Sequence, residues 1–141
     1  MSGRFFLDTN IFVYELEEAE PDKSAVASEL IQHAIKTRRG IVSYQVVQEF
    51  LSVAFRRFVR PLPAAEAQEY IRTTFSPLLA VHSSPRLFHE AIRIKGEHRL
   101  SWYDSLIVAA AVEADCTILY SEDFQAGRSM EGLKIENPFI R

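Results

Sequence analysis

Four acidic residues stand where a carboxylate can do chemistry. Asp8 follows Phe5-Phe6-Leu7 and precedes Thr9-Asn10 and a second apolar run, Ile11-Phe12-Val13. A short continuous apolar run reads as a strand buried on both faces, which puts Asp8 at its carboxyl end. Asp123 ends Thr117-Ile118-Leu119-Tyr120-Ser121-Glu122 in the same way. Asp104 falls in the first turn of a helix that is apolar nearly all round, and Glu49 in the helix after the second strand. Ligands of open α/β sheets bind just outside the carboxyl ends of the strands. If the strands of Asp8 and Asp123 are parallel neighbours, both acids point into one crevice. Carboxylates gathered there repel one another, so one stays protonated or a divalent cation fills the gap. With no cysteine or histidine cluster beside them, hard Mg²⁺ or Mn²⁺ with oxygen ligands is the fitting ion.

Each acid also has a plainer account. Asp8 or Asn10 suits a helix cap. Ser101-x-x-Asp104 has the spacing of a capping box, and the helix dipole favours an aspartate in the first turn. Glu49 lies off the Val46/Phe50/Ala54 stripe, as a solvated glutamate would. Asp123 fits a turn before Phe124, and Glu122 competes with it, since neighbours on a strand point to opposite faces. Singly these accounts hold; jointly they explain less well why two strand ends and a buried helix start all carry an acid.

The elements that must position these groups follow from the pattern. A chain of 141 residues, 48% hydrophobic and 25% charged, supports one soluble domain spanning 1–141. Its net charge of −3 does not mark the whole surface for nucleic acid, and any basic patch is local. The single cysteine, Cys116, forms no internal disulfide and reads as a core thiol, which fits a cytoplasmic setting. No signal-peptide pattern opens the chain, and its longest apolar run, Leu106 to Val112, is too short to span a bilayer.

Strands are expected at about 4–8, 41–43, 79–81, 117–120 and 133–135, alternating with helices from Asn10, Asp22, about 44–59, 63–78, Pro85 and Ser101. Gly40 and Gly96 read as helix stops. The alternation predicts an α/β fold: a parallel sheet of about four to five strands, with helices on both faces. The helices at 44–59 and 63–78 carry Phe50, Phe55, Phe58, Tyr70 and Phe75, an aromatic surplus that points to an interface and to a homodimer.

Four motifs in order resemble the acidic motifs of the PIN domain family: Asp8-Thr9-Asn10, Glu49 within Gln45-Val46-Val47-Gln48-Glu49-Phe50, Asp104 within Trp102-Tyr103-Asp104-Ser105-Leu106-Ile107, and Ser121-Glu122-Asp123-Phe124. The closing Asn137-Pro138-Phe139 resembles the tail of many VapC-type toxins, small PIN ribonucleases. The resemblance covers essentially the whole chain. It implies a Mg²⁺- or Mn²⁺-dependent endoribonuclease, the toxin of a toxin–antitoxin pair, with an RNA substrate, a VapB-like antitoxin partner and frequent homodimers. Carried over by position, Asp8, Asp104 and Asp123 would hold the metal. Glu49 would complete the catalytic set, and Thr9, Asn10 and Ser121 would hydrogen-bond the carboxylates.

RNA also needs cations. Arg56, Arg57 and Arg60 cluster at the end of the Glu49 helix; Arg93, Lys95, His98 and Arg99 precede the Asp104 helix and are the preferred candidates, because their loop leads toward the site. Trp102 and Tyr103 suit either base stacking or the core. A haloacid-dehalogenase-like phosphatase with Asp8 as nucleophile is the alternative enzyme, but its usual second aspartate, two residues on, is here Asn10. A non-catalytic binding module is the third reading.

Overall fold

Phe6 and Leu7 are fully buried at the centre of the computed structural model, which describes residues 3–125 and 127–140. They belong to β1 (Arg4–Leu7), whose neighbours are β2 (Gly40–Ser43) on one side and β4 (Cys116–Tyr120) on the other, both parallel to it. With β3 (Leu79–Val81), β5 (Ser129–Met130) and β6 (Leu133–Glu136) the sheet has six strands in the order β3-β2-β1-β4-β6-β5. Only β5 is antiparallel, paired to β6. That strand is the addition to the four or five expected. It is two residues long, and its turn to β6 holds Glu131 and Gly132 at φ 54° and 80°. Two positive φ values suit a two-residue hairpin, but Glu in place of Asn or Asp hides the signal.

The helices are α1 (Thr9–Leu16), α2 (Pro21–Thr37), α3 (Tyr44–Arg56), α4 (Ala64–Tyr70), α5 (Pro85–His98) and α6 (Trp102–Glu113). A π-helical segment, Ile71–Phe75, prolongs α4. Proline at the first position starts α2 and α5, and the Ser84 hydroxyl accepts from Leu87 N at 3.1 Å to cap α5. Left-handed arginines, not glycines, end two helices: Arg38 after α2 and Arg99 after α5. Gly40 serves packing instead. A Cβ there would lie 2.2 Å from the Ala34 Cβ, so glycine lets α2 approach β2. Gly96 lies inside α5.

The aromatics of α3 and α4 pack largely on one another, while Phe58 and Tyr70 also line a surface groove. Phe50 packs on Phe58, Tyr70 and Phe75 with ring centroids 5.0–6.3 Å apart, and Phe12 closes on Phe75 at 4.7 Å. Of the five, Phe55 alone is exposed. Cys116 is buried, and burial pushes its thiol up to about 12, so it stays protonated and inert. No described helix is long and apolar enough to cross a membrane.

Candidate active site

The chain runs from β1 to β2 and β3 on one side, then returns to β4 on the other side of β1. The reversal makes the β1/β4 boundary the topological switch point, where the carboxyl ends of a parallel sheet open a crevice. Leu7 is in register with Tyr120, and Asp8 N donates to the Tyr120 carbonyl at 3.0 Å, so Asp8 and Ser121 leave the sheet side by side.

Asp8 caps α1. Its Oδ1 accepts from Thr9 N and its Oδ2 from the Ser121 hydroxyl, each at 2.7 Å. At 4% exposure it is nearly dry. Burial pushes its carboxyl up to about 7, with the Asp123 and Glu49 charges acting in the same direction and the two hydrogen bonds opposing them. Ser121, fully buried, also holds the next acid in place, since its Oγ accepts from Asp123 N at 3.1 Å. One hydroxyl thus ties the Asp8 side chain to the Asp123 backbone.

Glu49 lies on the polar side of α3, as its spacing requires, but that side faces the pocket. Gln45, Glu49, Val53 and Arg57, four residues apart in turn, all line it. Glu49 Oε1 accepts from the Thr9 hydroxyl at 3.0 Å and from Gln45 Nε2 at 3.4 Å. Burial raises its pKa, helped by the Asp104 and Asp123 charges. Asp104 lies in the first turn of α6. Its backbone N donates to the Ser101 hydroxyl at 3.2 Å in a helix cap, while the residue lines the pocket. Asp123 stands at the mouth, raised by partial desolvation and by the Asp104 and Glu122 charges; the Asn10 amide opposes this.

These residues share one open pocket of about 360 Å³, lined by Asp8, Glu49, Asp104 and Asp123 together with Thr9 and Asn10. Glu122 is not in it. Its carboxylate accepts from the Tyr14 hydroxyl and pairs with Lys23, both at 2.6 Å. Nor do Arg93, Lys95, His98 and Arg99 line the pocket. Arg93 is taken up by Glu90, Glu97 and Glu131, and His98 by Glu131. The pocket's cation is Arg57, on the face of Glu49 two turns along, and its exposed aromatic is Tyr103, 63% accessible. The same four-residue spacing could have singled out Arg57 in the sequence.

The donor set of the pocket is oxygen only. Asn10 Oδ1 is buried with no hydrogen-bond partner among the described residues, an acceptor waiting for a donor or a cation. Both features fit a hard divalent ion. Among the described residues the one trio of possible ligand atoms within 4.8 Å is elsewhere, Glu97, His98 and Glu131, and Arg93 already neutralises it. The pocket acids are spread more widely, so an ion among them would be held partly through water, as Mg²⁺ commonly is.

Solved structures share the fold. VapBC2 of Rickettsia felis, bound to a promoter DNA fragment, superposes with a TM-score of 0.67 at 17% identity, over 94% of this chain and 97% of that one. VapC20 of Mycobacterium tuberculosis, described as a toxin that cleaves the sarcin–ricin loop, gives 0.65 at 23% identity over 84% and 89%. A toxin–antitoxin complex from Klebsiella pneumoniae gives 0.64 at 16% identity over 97% and 98%. No curated protein sequence matches the chain. The PIN domain model matches residues 5–128, which takes in all four acids of the pocket. The chain belongs to the PIN domain family.

Proposed function

We propose that this protein is a Mg²⁺- or Mn²⁺-dependent endoribonuclease, the toxin of a VapBC-type pair. The observation that carries the reading is the convergence of Asp8, Glu49, Asp104 and Asp123 in one oxygen-lined pocket at the switch point. Asp8, Asp104 and Asp123 would hold the ion. When bound, such an ion makes water a better nucleophile at neutral pH and draws negative charge off a phosphodiester in displacement. The chain's own residues do the rest. Thr9 and Ser121 orient Glu49 and Asp8 from one side each. Both bonds to Glu49 land on Oε1, which leaves Oε2 for the attacking water, and a carboxyl raised by burial is better suited to take its proton. Arg57 would take a substrate phosphate, and Tyr103 offers a face for a base.

The phosphatase alternative fits poorly. The residue two places after Asp8, where a second aspartate would act as general acid, is the amide Asn10. An antitoxin partner is supported by the toxin–antitoxin complexes among the similar structures. A groove of about 950 Å³ suits one, lined by Leu16, Phe58, Leu62 and Tyr70 together with Glu17, Glu18, Arg60, Glu66 and Glu69. A homodimer would draw on exposed apolar side chains, among them Phe88 and Ile92 of α5, 42% and 59% exposed, beside Phe55 of α3 and Val59. Light scattering of wild type and Ile92→Glu checks this, with loss of the dimer expected in the variant.

Incubation of labelled RNA with the purified protein, in EDTA and in Mg²⁺ or Mn²⁺, tests the central reading. Cleavage is expected only with metal, and not by Asp104→Asn. Metal-independent cleavage, or none by a folded wild type across a panel of structured and single-stranded RNAs, would sink it. Thermal melts add a check that needs no substrate. Asp104→Asn should melt no lower than wild type in EDTA, because it relieves repulsion. Mn²⁺ at ten times its Kd should stabilise wild type by about 1.4 kcal/mol and the variant much less. If Asp104 served only the helix dipole, its variant would melt lower and metal would shift both proteins alike.

A further inference from the structure

Glu122 and Asp123 are adjacent, yet only Asp123 lines the pocket. Glu122 is tied elsewhere, by two groups 99 and 108 residues away in the chain. The Tyr14 hydroxyl, on α1, donates to it at 2.6 Å. Lys23 Nζ, in the first turn of α2, pairs with it at 2.6 Å and also donates to the Tyr14 oxygen at 3.2 Å. The ammonium lies over two rings, 4.6 Å from the Tyr14 centroid and 5.6 Å from that of Phe139. Phe139, in the tail after β6, meets Tyr14 edge-on at 5.0 Å, and its backbone N donates to Asn137 Oδ1 at 2.9 Å. The Lys23 and Glu122 side chains are 31% and 25% exposed, so this is a partly desolvated cluster.

The cluster bears on the pocket because the segment Glu122–Phe124 has no regular structure of its own. The Asp123 backbone is tied to Ser121 Oγ, and the next residue back is held by Lys23 and Tyr14. The two side chains part here, Glu122 to Lys23 and Tyr14 and Asp123 to the pocket, so fastening Glu122 outside helps keep Asp123 turned inward. A Glu122 set free would be a second carboxylate one residue from the site, able to enter in the wrong register. We propose that Lys23 is a positioning residue for the acidic pocket: with Tyr14 and Phe139 it fastens Glu122 outside and so fixes the segment that presents Asp123. The proposal rests on the metal-dependent reading above, and it gives the Asn137-Pro138-Phe139 tail a role in the site.

Calorimetric titration of the full chain with Mn²⁺, alongside melts in EDTA, tests it with Lys23→Met, Lys23→Arg and Tyr14→Phe. Charge alone and position alone predict opposite signs. Removing a cation leaves the neighbourhood more negative, which by itself tightens divalent binding. Losing the support of a ligand weakens binding, typically by about 10–100-fold. Lys23→Met is therefore expected to bind Mn²⁺ about 10-fold or more weakly, while Lys23→Arg, which keeps a charge over the rings, stays close to wild type. Equal or tighter binding by folded Lys23→Met overturns the proposal. Should that variant melt too low to titrate, Tyr14→Phe decides: it removes one hydroxyl, and wild-type binding by it overturns the proposal equally. No Mn²⁺ binding by wild type would overturn the metal reading and this proposal together, an outcome distinct from binding that survives the substitutions.

Discussion

Asp8→Asn should change the pH dependence of stability in the metal-free protein. The side chain keeps its shape, and the amide can still accept from Thr9 N and donate to the Ser121 oxygen, so the fold loses little at acid pH. What changes is the charge. The Asp8 carboxyl moves from 3.8 in its ordinary state to about 7 in the fold. A folded-state pKa raised above the unfolded one contributes stability that is fully present below about pH 4, falls as pH rises, and is lost above about pH 7. At 1.36 kcal/mol per pH unit the span is about 4 kcal/mol, of which about 3 falls between pH 4.5 and pH 8. For a domain of this size that is on the order of 10 °C in Tm. Melts of both proteins in EDTA at pH 4.5 and 8 measure it. The variant should gain about 10 °C on wild type between the two conditions. A difference that does not vary with pH would refute the reasoning, because it would mean that Asp8 ionises in the fold as readily as in water. Mn²⁺ at pH 8 should reverse the order, since the ion favours the charged carboxylate that burial disfavours.

Asp123→Asn should lose RNA cleavage severely and Glu122→Gln only mildly in the labelled-RNA assay; the reverse order would place the fourth acid one residue earlier. Arg57→Gln should weaken RNA binding by the metal-free protein in a filter-binding assay, and Arg93→Gln should not, because Arg93 is already paired with three carboxylates. Equal losses would mean that the pocket lining does not mark the RNA path. Gly40→Ala should lower stability by about 1–3 kcal/mol in urea unfolding, because its Cβ would fall 2.2 Å from the Ala34 Cβ and 2.9 Å from the Ala34 Cα. An unchanged midpoint would show that α2 gives way freely.

The sequence alone determined the mostly parallel α/β plan, since buried strands and amphipathic helices leave their periods in the chain. The runs Phe5-Phe6-Leu7 and Thr117 to Tyr120 end where the acids begin, so their strand-end placement was legible too. It also carried the Gln45, Glu49, Val53, Arg57 face, a local consequence of helix geometry. Tertiary structure decided what depends on elements far apart in sequence. Whether Phe50, Tyr70 and Phe75 meet each other or a partner is set by how α3 and α4 cross, and they meet each other. The outward turn of Glu122 is set by Lys23 and Tyr14, 99 and 108 residues away. The basic residues before α6 are close to the site in sequence, but an ion pair and a hydrogen bond reaching to Glu131 hold Arg93 and His98 elsewhere. A side chain's type and period are written locally. Its direction depends on the charges that folding brings beside it, and those belong to no single stretch of the chain.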